Sequence, residues 1–438
     1  MKFYNLKDET QIVDFKTAVR TGLGRDQGLF FPKSITALDN IDELLAMTVH
    51  QRNFEILKPF VSENISDENL KSIIEKTFAF PAKLVAIKES ASTTSAYCLE
   101  LFHGPTLAFK DFGANFMANC LSSFSSESKE QIADTPKITI LTATSGDTGA
   151  AVAQAFYGLE NIQVVILFPK GKISDLQQKM FTTLGNNIHT IAVEGSFDDC
   201  QQLVKQSFDR PELVKTIGLN SANSINISRL LAQVCYYFDG FAQLPASKRD
   251  QVVVSIPSGN FGNLCAGVIA KALGLPIKRF VAATNVNDTV PRYLQTGEWS
   301  PKDTIATISN AMDVSKPNNW PRIKYMMDTE QFPSNALTGV AVDEAKTAAT
   351  LIDIYQQGYI SEPHAAVAYS GLEQTLKEGE TGIFLGTAHP AKFQETVEDI
   401  LDIDISLPPE IAKCITKDDL SKQLPFDFKL LEDYLYQL

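Results

Sequence analysis

Cysteine is scarce in this chain and scattered. Six occur in 438 residues, at Cys98, Cys120, Cys200, Cys235, Cys265 and Cys414, none with CxxC spacing. That excludes a zinc motif or a disulfide framework and fits a reducing cytosol. Long apolar runs are also missing: no window approaches eighteen uninterrupted apolar residues, so no membrane-spanning helix is expected. The opening Met1-Lys2-Phe3-Tyr4-Asn5 is mixed and polar, unlike a secretory signal. No long basic block occurs, and Lys+Arg 39 against Asp+Glu 52 leaves a net charge of −13. That balance speaks against a nucleic-acid surface or an anionic-membrane patch. It still permits a local anion site built from backbone N–H groups and a few basic side chains. The expectation is a soluble cytoplasmic protein acting on a small molecule, with no nucleic-acid or membrane partner and no metal. Its oligomeric state, monomer or homodimer, stays open.

What is present is an α/β pattern. The chain is 44% hydrophobic and long enough for two or three packed domains. Residues 1–80 read as a compact opening module: a short helix near Val13–Val19, a turn-rich run from Gly22 to Pro32, and helical patterns around 41–49 and 67–76. From about residue 137, short apolar runs alternate with helical segments, at 137–141, 163–168, 188–193, 251–256, 279–283 and 382–386. Runs this apolar predict strands buried on both faces, and the alternation predicts parallel sheets. No internal repeat, low-complexity tract or long linker is seen. The serines at 122, 123, 125, 126 and 128 mark a surface loop or a frayed helix end.

The chemistry concentrates in a few turns. In Phe102-His103-Gly104-Pro105-Thr106-Leu107-Ala108-Phe109-Lys110-Asp111, a Gly-Pro turn leads into a helix whose apolar spacing is Phe109, Phe112, Phe116 and Cys120. Lys110 stands in the first turn of that helix, where the macrodipole disfavours positive charge. It is read either as a solvated surface lysine or as the amine that forms a Schiff base with a cofactor aldehyde.

Ligands of open α/β sheets bind beyond the carboxyl ends of strands, and three such turns stand out. Thr144-Ser145-Gly146-Asp147-Thr148-Gly149 follows the first strand; its side chains either cap the next helix or cradle an anion. Pro257-Ser258-Gly259-Asn260-Phe261-Gly262-Asn263 has two glycines three apart at a strand-to-helix junction, which frees N–H groups for a phosphate without a P-loop lysine. In Gly386-Thr387-Ala388-His389-Pro390-Ala391-Lys392, the Thr387 hydroxyl suits a ring nitrogen, while His389 is either a ligand or a structural hydrogen-bonder. Two further segments are polar: 220–229, with Asn223, Asn226 and Arg229 at a helix start, and 169–174, with Lys170 and Lys172. The first suits a phosphate or carboxylate; the second is surface or site.

Together these segments resemble the threonine synthase family, pyridoxal-phosphate enzymes of fold type II (tryptophan synthase β-like). The resemblance also covers Tyr4-Asn5, Gly28-Leu29-Phe30-Phe31-Pro32, Ser309-Asn310-Ala311-Met312-Asp313-Val314 and Ser361-Glu362-Pro363-His364, so it spans nearly the whole chain. Asn263 stands where many relatives are expected to have aspartate; an amide still donates to a phosphate. The resemblance implies an N-terminal module over 1–80, a large pyridoxal-phosphate domain from 81–130 and 250–438, and a smaller α/β domain over 131–249. It implies Lys110 as the Schiff-base lysine, Ser258, Gly259, Asn260, Phe261, Gly262 and Asn263 around the cofactor phosphate, and Thr387 at the pyridine nitrogen. Ser145, Gly146, Asp147 and Thr148 would hold the substrate carboxylate; Lys172, Asn223, Asn226 and Arg229 would hold its phosphate. The implied reaction takes O-phospho-L-homoserine and water to L-threonine and phosphate. Alternatives are a related phospho-lyase or dehydratase giving a 2-oxoacid, and a non-catalytic phosphometabolite-binding homologue.

Overall fold

The apolar runs form the parallel strands they predict, each buried along most or all of its length. In the computed structural model, which describes residues 1–88, 94–127 and 138–438, six strands make a large sheet in the order 337–341, 277–284, 252–257, 381–386, 95–100, 83–88. All neighbours run parallel except 83–88, which pairs antiparallel at the edge. A smaller, wholly parallel sheet has the order 422–425, 188–194, 162–169, 138–143, 219–220. Lys137, expected to start a strand, and Ser128 lie outside the described residues.

Residues 3–5, 8–13 and 30–32 form a separate antiparallel sheet. The helical pattern expected around 41–49 is broken in two. Ile41–Ala46 ends, and Thr48 opens the next helix, Val49–Val61, through a capping box with Gln51. This module is tied to the rest by buried charge. Arg52 donates to Asp239 at 2.7 Å and to the carbonyls of Leu45 and Met47. Arg322 donates to the carbonyls of Phe30 and Ile225 and to Asn319.

Two long helices fill the space between the sheets. Lys110–Glu127 buries Phe112, Phe116, Met117, Cys120, Leu121 and Phe124. Ile227–Gln243 is buried on every side from Ile227 to Phe241, as a helix surrounded by protein must be. They approach closely at Gly113, where an added Cβ would come 2.8 Å from the carbonyl oxygen of Arg229. The C-terminal end departs from the expected 250–438 assignment. The 422–425 strand extends the smaller sheet beside 188–194, and Leu431 and Leu435 of the last helix pack with Leu141, Val165 and Leu203.

Candidate active site

Lys110 begins its helix at the carboxyl end of the 95–100 strand, and the turn before it is held from several sides. Asp111 is buried and accepts the Thr106 N–H at 2.9 Å as well as the Thr106 hydroxyl. A Cβ at Gly104 would fall 2.5 Å from the Asp111 carboxylate, so only glycine fits there. Leu107 takes φ 57, a left-handed conformation that a leucine keeps only under constraint. That constraint is the loop after the 381–386 strand: Phe109 N–H donates to the Thr387 carbonyl at 2.9 Å and His389 N–H to the Leu107 carbonyl at 3.0 Å. Lys110 is half-buried, and burial pushes its amine down to about 8. Asp147 opposes that fall, while Lys392 and Arg229 add to it.

The loop after the 252–257 strand is an anion nest. Ser258 spends its N–H on the Ala283 carbonyl and its hydroxyl on the Ile256 carbonyl. The next five N–H groups, Gly259 to Asn263, have no protein acceptor among the described residues, and they open onto the start of the Gly262–Ala272 helix. Phe261 makes the turn with φ 60. Asn260 pins the loop through the Asn318 N–H at 2.6 Å and Ser224 at 2.8 Å. A Cβ at Gly259 would meet the Met312 Cα at 2.7 Å, so residues 309–314 form its wall. Tyr236 and Tyr237 both donate to the Asn263 side-chain oxygen, and the amide nitrogen is left buried without a partner. Free N–H groups and an orphaned donor at a helix start fit a phosphate group.

On the smaller sheet's side, one residue caps the Asp147–Phe156 helix: the Thr144 hydroxyl accepts from Gly146 at 3.0 Å and Gly149 at 2.8 Å. That leaves the N–H groups of Asp147 and Thr148 and the half-buried hydroxyls of Ser145 and Thr148 without protein partners among the described residues. Gly146 has φ 138, open only to glycine. The Asp147 carboxylate is buried and pairs with the Lys392 ammonium at 2.6 Å. Burial pushes Asp147 up, but Lys392 and Lys110 outweigh it and hold the carboxyl at about 2.

The remaining candidates divide. Arg229 is 1% exposed; it donates to the Ala222 carbonyl, and its Nε has no partner among the described residues. Burial lowers it to about 10. Asn223 accepts the Thr142 hydroxyl. Asn226 is fully occupied as a cap, donating to the Val19 carbonyl at 2.9 Å and accepting from Ser228. Lys172 lies exposed on the turn after the 162–169 strand, and the groups that feel its charge are Asp199 and Cys200. Thr387 is 7% exposed, and its hydroxyl has no protein partner among the described residues. His389 accepts the Ala391 N–H at 3.1 Å, a local cap.

Sequence reasoning passed over three participants. Thr144 carried a signal as one more hydroxyl in the turn. Lys392 carried none beyond its place in the loop. His364 lies at the start of the Pro363–Thr375 helix; its Nδ1–H donates to Glu362 at 2.5 Å and its Nε2 accepts the Ala311 N–H at 3.2 Å, steadying the wall of the nest. A cavity of about 490 Å³, lined by Ser174, Gln177, Thr307, Asn310, Glu344 and Lys392 among others, opens between the two sheets.

A lysine at a helix start, a phosphate nest and a hydroxyl-bearing loop, all at the carboxyl ends of parallel strands of one sheet, define a pyridoxal-phosphate-dependent enzyme of fold type II. The "Pyridoxal-phosphate dependent enzyme" family profile matches residues 80–385, flanked by "Threonine synthase N terminus" over 2–78 and "Threonine synthase, C-terminal" over 365–435. The threonine synthase of Haemophilus influenzae is 56% identical over 435 residues, 99% of each chain, and that of Escherichia coli 56% over 433, 98% of each. The crystal structure of the Escherichia coli threonine synthase superposes with a TM-score of 0.93 at 54% identity over all of both chains. That of the pyridoxal-phosphate-bound threonine synthase from Brucella melitensis superposes with 0.90 at 30% identity over 100% of this chain and 99% of the other. This chain belongs to the threonine synthase family, and its cofactor is pyridoxal 5'-phosphate.

Proposed function

We infer that the chain makes L-threonine and inorganic phosphate from O-phospho-L-homoserine and water, with Lys110 as the catalytic residue. The observation that carries the reading is Lys110 itself. It is an amine depressed to about 8, set at the start of a buried helix by the same loop that presents Thr387.

Pyridoxal phosphate, when bound, supplies an electron sink for carbanion chemistry. The chain does the rest. The N–H groups of Gly259 to Asn263 and the Asn263 amide would hold the cofactor phosphate, aided by the helix dipole. The Thr387 hydroxyl would serve the pyridine nitrogen. The N–H groups of Asp147 and Thr148, with the hydroxyls of Ser145 and Thr148, hold the substrate carboxylate. An amine depressed to about 8 is partly free base near neutral pH, so Lys110 can take a proton from Cα and then from Cβ and return it. Arg229, a buried cation with an unfilled donor, faces the substrate phosphate together with Asn223 and stabilises it as it leaves. Asn226 acts through the loop it caps, and Lys172 stands outside the group. Six free cysteines suit a reducing cytoplasm as the place of work.

The test measures products together. Supplied with O-phospho-L-homoserine, the purified protein should release phosphate and threonine in equal amounts. Phosphate with 2-oxobutyrate and no threonine would identify a phospho-lyase instead.

A further inference from the structure

Two lysines of this site share one carboxylate, and only one of them is bonded to it. Lys392 lies in the short turn Pro390–Phe393 after the 381–386 strand, its side chain 1% exposed. Its ammonium is held by the Asp147 carboxylate at 2.6 Å and the Thr106 carbonyl at 2.9 Å. Asp147 belongs to the smaller sheet's loop, and Thr106 to the turn that delivers Lys110. Gln177 steadies Asp147 from the next helix, at 3.4 Å. Lys110, half-buried beside them, has no ion pair or hydrogen bond among the described residues.

We propose that Lys392 is a positioning residue for the catalytic amine: by occupying Asp147 it denies Lys110 a carboxylate partner, so that Lys110 is the lysine that gives up its proton. This rests on the reading of Lys110 as the cofactor lysine. The physical argument is one of competition. A buried carboxylate stabilises whichever ammonium it touches, and the other amine then carries its burial cost alone and also meets the neighbouring cation. The groups around Lys110 agree. Burial is the largest influence and disfavours its charged form; Asp147 opposes burial, while Lys392 and Arg229 add to it. Asp111, on Lys110's own helix, bonds to Thr106 and acts on Arg229. His364 and Lys392 both act on Asp147, and Lys392 also acts on His389 and Asp111.

Competitive labelling of the full chain without cofactor, read at the Lys110 peptide by mass spectrometry across pH, gives the amine's midpoint directly. In Lys392→Met, Asp147 is released to Lys110, and the midpoint should rise by about 1 unit or more. Below the midpoint the labelling rate then falls roughly tenfold per unit of that rise. The acid limb of kcat, which reports the enzyme–substrate complex in which Lys110 is a free amine, should move the same way. Lys392→Arg keeps the pair and should restore the parent midpoint. Asp147→Asn removes the shared carboxylate while Lys392 stays charged, and should shift the midpoint downward. That variant answers the question even if Lys392→Met does not fold. An unchanged Lys110 midpoint in either folded variant would overturn the proposal and leave Lys392 a structural tie. Labelling does not depend on the cofactor, so its outcome is separate from whether Lys110 is the cofactor lysine.

Discussion

Replacing Gly259 by alanine would place a methyl carbon 2.7 Å from the Cα of Met312 and 3.0 Å from the Ala311 carbonyl oxygen. Gly259 does not have positive φ, so alanine's own backbone preference is not at issue and the effect is steric. Both obstructing atoms are backbone, and their segment is held: Ala311 by His364, and Asp313 by Asn285 and Thr307. To reach an ordinary contact the two loops must part by about 0.7 Å, and forced overpacking of this kind costs about 1–3 kcal/mol. Because the nest aims its N–H groups at one phosphate, most of that cost should fall on cofactor binding. At 1.4 kcal/mol per tenfold, the Kd for pyridoxal phosphate should rise by about 5- to 150-fold. Titration of cofactor-free protein, followed by the visible band of the lysine-bound cofactor, measures it. Gly158→Ala is the control. It meets nothing within 4 Å but has φ +73, so it should lower the melting temperature and leave cofactor affinity alone. If Gly259→Ala binds the cofactor as tightly as the parent, the nest is not the phosphate site or its wall is soft, and the steric reasoning fails.

Two further outcomes follow from the same geometry. Borohydride reduction of the loaded protein should leave cofactor covalently on the Lys110 peptide, and Lys110→Ala should show neither this adduct nor turnover; an adduct on Lys392 would shift the assignment to that lysine. In the buried pair between the N-terminal module and the Ile227–Gln243 helix, burial pushes Asp239 up to about 6 against the pull of Arg52. Asp239→Ala strands a buried guanidinium and should cost about 3–5 kcal/mol in urea unfolding, while Arg52→Met with Asp239→Leu should lose markedly less. A single variant within about 1 kcal/mol of the parent would show that the pair is solvated after all.

The chain's own pattern determined a good deal. Runs such as 252–257 and 381–386 are apolar on both faces and have no stable place except inside a parallel sheet. Once they are strands, the glycines and hydroxyls after them must stand at the sheet's carboxyl edge. The phosphate loop and the Lys110 turn were legible for that reason: each is local, and its chemistry is written within a dozen residues. The pieces that were not legible are made by distant contacts. The 422–425 strand is mostly exposed and carries no apolar signal; pairing with 188–194 alone makes it part of the smaller sheet. Asn226 reads as a ligand by composition, yet its amide is consumed by a helix cap and the Val19 carbonyl. Lys392 reads as an ordinary basic residue until the fold sets it against Asp147 and Thr106. Periodicity determines burial and turn chemistry along the chain. Which buried charge faces which is decided only when two sheets and the helices between them close, because electrostatic partners are chosen by distance in space.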